Sequence, residues 1–182
     1  MKMKYKPMLA YPVSDKPIDY KSVVYMQPKL DGVRCLIQCD PSKMVIAYSR
    51  NGKVWKNIDH ILNNLIPFFA EYPDVVLDGE LYNHDFKDDF ESIISMVRKT
   101  KPTDEDRYIS AQNVQFHCYD IIDTNKTYTQ RRNFIVQNLP VRDSIVGVFT
   151  QLVSSEREAK QVHKENLAKG YEGSIVRIND VY

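Results

Sequence analysis

Gln27-Pro28-Lys29-Leu30-Asp31-Gly32-Val33-Arg34 lies between two short apolar runs, Val23-Val24-Tyr25-Met26 and Cys35-Leu36-Ile37-Gln38-Cys39. Each run has the length and composition of a buried strand, so the lysine falls in or beside a sheet. A lysine serving solubility alone has no need of an Asp-Gly turn and an arginine at its shoulder. One that attacks a phosphate benefits from both: Gly32 permits close backbone approach, and Arg34 offers a planar fork for phosphate or ribose oxygens.

The chain of 182 residues fits one domain with a full core, 43% of its residues being hydrophobic and 27% charged. Six glycines and nine prolines are too few for a disordered or repetitive chain. A formal net charge of +1 provides no global field toward nucleic acid, so affinity for it must come from local patches. Cys35, Cys39 and Cys118 form no C-x-x-C pair. Cys35 and Cys39 share a strand face with Ile37 and read as buried apolar positions rather than metal ligands or disulfide partners. No apolar run has membrane-spanning length, and the N-terminus lacks the apolar stretch of a signal peptide. A reducing cytoplasmic compartment and a monomer are the resulting expectations.

Outward from Lys29, residues 1–20 carry Pro7, Pro12 and Pro17 and read as an extended arm. Strands near 33–39 and 44–49 flank a turn at 40–43, and Ser49-Arg50-Asn51-Gly52 sets an arginine before an Asn-Gly turn. On these grounds alone Arg50 is as readily a solvated turn residue as a ligand contact. Ile58, Ile61, Leu62, Leu65 and Ile66 recur at helical spacing, with Asn57 as N-cap and Pro67 as the end or a kink. Val75 to Tyr82 reads as a strand interrupted by Asp78-Gly79-Glu80. Its carboxylates need a metal, a ribose hydroxyl, an arginine or a lysine to offset burial. A helix opens at Asp88-Asp89-Phe90 and ends in basic residues 98–101, and 102–113 reads as a polar loop. Val114 to Ile122 is a strand carrying Tyr119-Asp120. Thr127 to Gln130 is a capping box opening a helix to Asn138, with Arg131 and Arg132 on a solvated face. Residues 145–153 alternate as a strand, and Ser155 to Glu158 is a capping box for a last helix followed by Gly170. Glu172-Gly173-Ser174-Ile175-Val176-Arg177 sets a carboxylate at the mouth of an apolar strand.

Lys29-x-Asp31-Gly32-x-Arg34 resembles the nucleophile motif of covalent nucleotidyltransferases: ATP-dependent DNA ligases, RNA ligases and mRNA capping enzymes. Ser49-Arg50-Asn51-Gly52, Asp78-Gly79-Glu80-Leu81, Tyr119-Asp120 and Glu172-Gly173 resemble the companion motifs in the same order. Pro7-Met8-Leu9-Ala10 is similar to the approach segment of DNA ligases. The resemblance implies an α+β fold of antiparallel sheets flanked by helices, the ligase and capping-enzyme catalytic fold, over residues 1–182. It implies Lys29 as the nucleophile that takes AMP from ATP, and Gln27, Lys29, Arg34, Arg50, Glu80, Tyr119 and Glu172 as the nucleotide site. Tyr119 would stack on the purine with Asp120 in support. Asp31, Glu80 and Glu172 would hold Mg²⁺, and nicked double-stranded DNA would be the partner. A glutamate is more usual than Gln27 at the position that reads the adenine amino group. Neither the later two-lysine motif nor the following OB-fold domain occurs before Tyr182, so a chain cut from a longer protein is expected. An RNA ligase or a GTP-using capping guanylyltransferase would share these motifs, and a non-catalytic nucleotide- or nick-binding module is the rival of another class.

Overall fold

The computed structural model describes residues 3–182. Among them eight strands form two sheets, with helices packed on their outer faces. The first sheet has the order β7-β1-β8, from Gln151–Val153, Val24–Lys29 and Gly173–Ile178. The second has the order β3-β2-β4-β5-β6, from Val45–Tyr48, Val33–Cys39, Val76–Tyr82, Gln115–Ile121 and Ile145–Gly147. The α+β class expected from the sequence is the observed one. All pairings are antiparallel except β5 with β6.

Period-two alternation sorts each strand between core and cleft. In β1, Val24 and Met26 turn toward Val153, Ala159 and Val162, leaving Tyr25, Gln27 and Lys29 on the opposite face. In β2 and β4, Cys35, Ile37, Leu77 and Leu81 enter the main core, leaving Arg34, Asp78 and Glu80 on the other side. That core is closed by helix α1, Asp59–Glu71, through Ile61, Leu65, Phe68 and Phe69. Cys35 is a buried free thiol, as the strand pattern indicated, whereas Cys39, expected to be buried with it, is only partly buried at the strand end. Cys118 is also a buried free thiol, and burial pushes the Cys35 and Cys118 thiols up.

Several local expectations are corrected. Asn57 is not the cap of α1, which begins after Ile58. It is buried, and its Nδ2 donates to the carbonyls of Met96 and Asp106. Helix α1 continues through Pro67 to Glu71, with Pro67 on the exposed face, where the missing hydrogen bond is least costly. After α2, Phe90–Val97, the expected polar loop is instead helix α3, Asp104–Asn113. Its apolar stripe is weak, but Thr103 and Asp106 cap it reciprocally. Helix α4, Tyr128–Asn138, starts at the predicted box, yet Arg131 is 1% exposed and ion-paired rather than solvated. The expected strand over 145–153 is two strands in different sheets, so residues 148–150 cross from one sheet to the other. At α5, Glu156–Ala168, Ser155 caps Glu158 N–H, whereas the Glu158 carboxylate reaches Ser154 rather than closing the box on Ser155. Gly170 follows with φ +86, the left-handed position foreseen for it. The arm is described only from residue 3 onward; it is tied down by Lys4 N–H on Gln38 and Met8 N–H on the Tyr182 hydroxyl.

Gly79 tests this packing. A Cβ there would stand 2.6 and 2.7 Å from Phe116 ring carbons and against the His117 carbonyl. Gly79→Ala is expected to lower unfolding stability by ~1–3 kcal/mol, as overpacking does. Urea denaturation measures it, and an unchanged midpoint would contradict the close approach of β4 and β5.

Candidate active site

The cleft lies between the polar faces of the two sheets. Antiparallel pairing of β1 with β8 sets Lys29 opposite Gly173, and Glu172 N–H donates to the Lys29 carbonyl at 3.2 Å. The register thus brings together two residues far apart in sequence: Lys29 Nζ forms an ion pair with Glu172 Oε1, both side chains nearly half exposed. In the facing sheet, Arg34 grips Asp78 bidentately, Nε and Nη2 each 2.6 Å from a carboxylate oxygen. The Tyr182 hydroxyl donates to the same carboxylate at 2.8 Å. Two of the three guanidinium nitrogens of Arg34 are therefore committed within the protein.

Tyr119 and Asp120 are consecutive, and strict alternation would send them to opposite faces. A register shift resolves this: Asp78 pairs with Asp120 but Gly79 pairs with Cys118, leaving Tyr119 as the extra residue of a bulge. Both side chains thereby serve the cleft. The Tyr119 ring has the guanidinium carbons of Arg34 and Arg177 each 5.2 Å from its centroid, within cation–π range. Its hydroxyl donates to Glu80 at 3.3 Å. Asp120, wholly buried, accepts from Arg131 at 2.7 and 3.1 Å and from Arg177 at 3.1 Å.

Gln27, 2% exposed, forms the floor of the cleft between the sheets. Its Nε2 donates to the Tyr128 hydroxyl and Thr150 Oγ1, both at 2.9 Å, with the Tyr119 carbonyl at 3.2 Å; its Oε1 accepts from Arg177 at 3.1 Å. Glu80 is partly buried, and that burial pushes its carboxyl up to about 8 against the pull of Arg34. Asp31 is exposed in the turn after β1. Arg50 stands exposed on the Ser49–Lys53 turn, joined to the cluster by no hydrogen bond or ion pair among the described residues.

The structure thus gathers Gln27, Lys29, Arg34, Glu80, Tyr119 and Glu172 into one cleft, with Arg50 outside the bonded network. Sequence reasoning missed Thr150, Arg131 and the anchoring role of Arg177. Thr150 lay hidden in an expected strand, whereas Arg177 was visible as the last residue of its motif. The described residues contain no group of three or more His, Cys, Asp or Glu side chains able to share a metal ion. Asp31, Glu80 and Glu172 are therefore not a preassembled metal cage. A depression of about 500 Å³ bounded by His60, Asn64, Gln112, Arg142, Asp143 and Ser144 shares no lining residue with this cleft.

The two facing sheets with helices on their outer faces match the nucleotidyltransferase-domain fold of solved ATP-dependent DNA ligases. Residues 7–182 match the family described as ATP dependent DNA ligase domain, and the chain belongs to that family. Similar solved structures include a Lig E DNA ligase (TM-score 0.72, 19% identity, 99% of this chain and 64% of that one). The adenylate of the Chlorella virus DNA ligase is another (0.66, 20%, 96% and 60%), and an archaeal ATP-dependent RNA ligase a third (0.60, 19%, 88% and 40%). The chain therefore spans between 40% and 64% of these relatives' lengths. No curated protein sequence matches it. No helix among the described residues is long and apolar enough to cross a membrane.

The Glu80 carboxyl gives the site a pH signature. Between its ordinary 4.5 and about 8 the unfolded chain is ionised there while the folded chain keeps the proton. Stability from this group therefore falls as pH rises through that window and is level above it. Urea denaturation at pH 5 and pH 8 is expected to show a smaller loss of stability in Glu80→Gln than in the parent. Equal losses would place the Glu80 carboxyl in the ordinary range.

Proposed function

We propose that this chain is the adenylation domain of an ATP-dependent DNA ligase, with Lys29 as its nucleophile. The observation that carries the reading is the pairing of Lys29 with Glu172, set by the β1–β8 register, at the open end of a cleft lined with arginines and an aromatic ring. A lysine must be neutral to attack. Glu172, in contact with Nζ, is the acceptor at hand for the ammonium proton. The nitrogen lone pair then forms an N–P bond with the α-phosphate of ATP as the bond to pyrophosphate breaks, leaving AMP on Lys29. The AMP passes to the 5′-phosphate at a nick in double-stranded DNA, and the adjacent 3′-hydroxyl displaces it to seal the strand.

The chain's own residues position the nucleotide. The Tyr119 ring offers the purine a stacking face, and Glu80 lies where a ribose hydroxyl can bond it. Arg34, anchored on Asp78, and the exposed Arg50 present positive charge to phosphate oxygens. Mg²⁺ is commonly held by one or two carboxylates together with substrate phosphates, and Asp31, Glu80 and Glu172 are the carboxylates that would supply them. When bound, the ion would neutralise charge on the phosphates. The likeness in fold to an archaeal RNA ligase makes RNA ends the competing acceptor.

Intact-mass measurement of the chain incubated with Mg²⁺ and ATP tests the first step. One AMP increment is expected, mapping to Lys29 and absent from Lys29→Ala. An increment on another residue, or one formed only with GTP, would overturn the assignment. A chain that neither gains mass nor binds ATP would overturn the reading altogether.

A further inference from the structure

An exposed ion pair holds its own geometry only weakly, because water competes for both charges. Lys29 and Glu172 are such a pair, so their meeting depends on how the backbone places Glu172. On one side Glu172 is fixed by β8, whose pairing with β1 sets Gly173 opposite Lys29. On the other side residues 169–171 form a loop between α5 and β8, outside both sheets. What grips that loop comes from the larger sheet. Strand β4 ends at Tyr82, and the single 3-10 turn that follows, His84–Phe86, lies against the loop.

His84 makes three contacts there. The Lys169 carbonyl only accepts, so the His84 Nε2 that lies 3.0 Å from it carries a ring proton. Nδ1 of the neutral ring accordingly accepts from the Tyr82 hydroxyl at 2.7 Å. The third contact is with Tyr171, whose ring centroid is 4.5 Å from that of His84, with the planes inclined by 35°. Tyr82 is 2% exposed and its ring packs edge-on to His117 of β5, so its hydroxyl is a fixed point rather than a surface group. Lys87 ends the same turn and lays its methylenes against Gly170, where a Cβ would stand 2.7 Å from both Cδ and Cε. Three successive loop residues, Lys169, Gly170 and Tyr171, are thus held by the 84–87 segment immediately before Glu172. The clasp joins the two sheets at the mouth of the cleft, as Asp120 joins them at its floor.

We propose that His84 is a positioning residue for Glu172: by holding Lys169 and Tyr171 it sets the Glu172 carboxylate against Lys29 Nζ, and so governs the rate of AMP transfer to Lys29 rather than the affinity for ATP. The effect on AMP transfer rests on the adenylation reading above, in which Glu172 takes the Lys29 proton while other residues hold the base and ribose. The placement of Glu172 stands on the contacts alone.

Zero-length cross-linking of the 182-residue chain with a carbodiimide tests the placement. The reagent activates a carboxylate, which joins a touching amine as an amide with net loss of one water, so the yield of the Lys29–Glu172 link reports their contact. The Lys160–Glu156 pair within α5, 2.7 Å apart, is the internal reference. His84→Phe keeps a ring beside Tyr171 but loses both hydrogen bonds. It is expected to lower the Lys29–Glu172 yield roughly three- to tenfold against the reference, the size of one or two hydrogen bonds. His84→Gln, whose amide can still donate to the Lys169 carbonyl, should restore most of it. Tyr171→Leu loosens the loop from its own side and takes the place of His84→Phe should that variant fail to fold. An undiminished yield, or a loss that His84→Gln does not restore, overturns the clasp, and a parent that forms no Lys29–Glu172 link overturns the placement itself. Single-turnover AMP transfer at saturating ATP should fall in step in His84→Phe, with ATP affinity kept within about twofold. A lost link with an unchanged rate, or equal losses of rate and affinity, overturns the part of His84 in the reaction. A parent that accepts no AMP overturns the adenylation reading instead, and the cross-link still decides the clasp.

Discussion

Asp120 shares its two buried carboxylate oxygens between arginines from separate elements, Arg131 of α4 and Arg177 of β8. Its strand belongs to the larger sheet, whereas Arg177 belongs to the smaller one, so this cluster bolts the two halves of the cleft together. Removing one partner of such a buried arrangement typically costs ~3–5 kcal/mol, because the group left behind is an uncompensated charge. The bolt is directional as well as strong. The planar fork of Arg131 fixes the carboxylate, and the carboxylate then fixes the fork of Arg177 above Gln27. Backbone carbonyls of Lys126 and Asp180 complete the satisfaction of Arg131, tying the helix start and the C-terminal segment to the same point.

That bolt depends on one irregularity in β5. Without the extra residue at Tyr119, either the ring or the carboxylate would face the core occupied by Phe116 and Cys118. The adjacent position on β4 is Gly79, where the two strands approach so closely that a side chain would meet the Phe116 ring. Glycine and bulge are thus two parts of one local solution. They let an aromatic face and a buried anion occupy neighbouring residues while the rest of the ladder keeps its register.

Most of the fold was legible because alternation is a strong signal wherever one face of a strand is buried. Val24 and Met26 against Tyr25, Gln27 and Lys29 sort as the pattern requires. The motif residues were legible because their spacing is unusual. What escaped was set by tertiary context. Arg131 reads as a solvated helix residue until Asp120 arrives from a strand eleven residues earlier. Asn57 reads as a cap until the carbonyls of Met96 and Asp106 claim its amide. The 145–153 segment reads as one strand, but only 145–147 and 151–153 are strands, and periodicity carries no information about which sheet each joins. Helix α3 has little apolar stripe, and its reciprocal cap ends in aspartate rather than the usual glutamate or glutamine.

The cleft is also paired against itself. Lys29 holds Glu172, Arg34 holds Asp78, Arg177 holds Asp120, and Glu80 retains its proton to about pH 8. Most charges lining the cleft already have a partner, so a charged ligand entering it would exchange ion pairs rather than fill bare ones. The exchange is least costly where solvent reaches. Lys29 and Glu172 have side chains nearly half exposed, whereas Asp78 and Asp120 are wholly buried. An exposed pair is worth little and separates readily, while a buried one is held by the cost of leaving its partner unpaired. The gradient of burial across the cleft therefore divides its labour. The floor, with Asp78, Asp120 and Gln27, keeps its bonds and defines shape, and the rim, with Lys29 and Glu172, is where pairing exchanges at least cost.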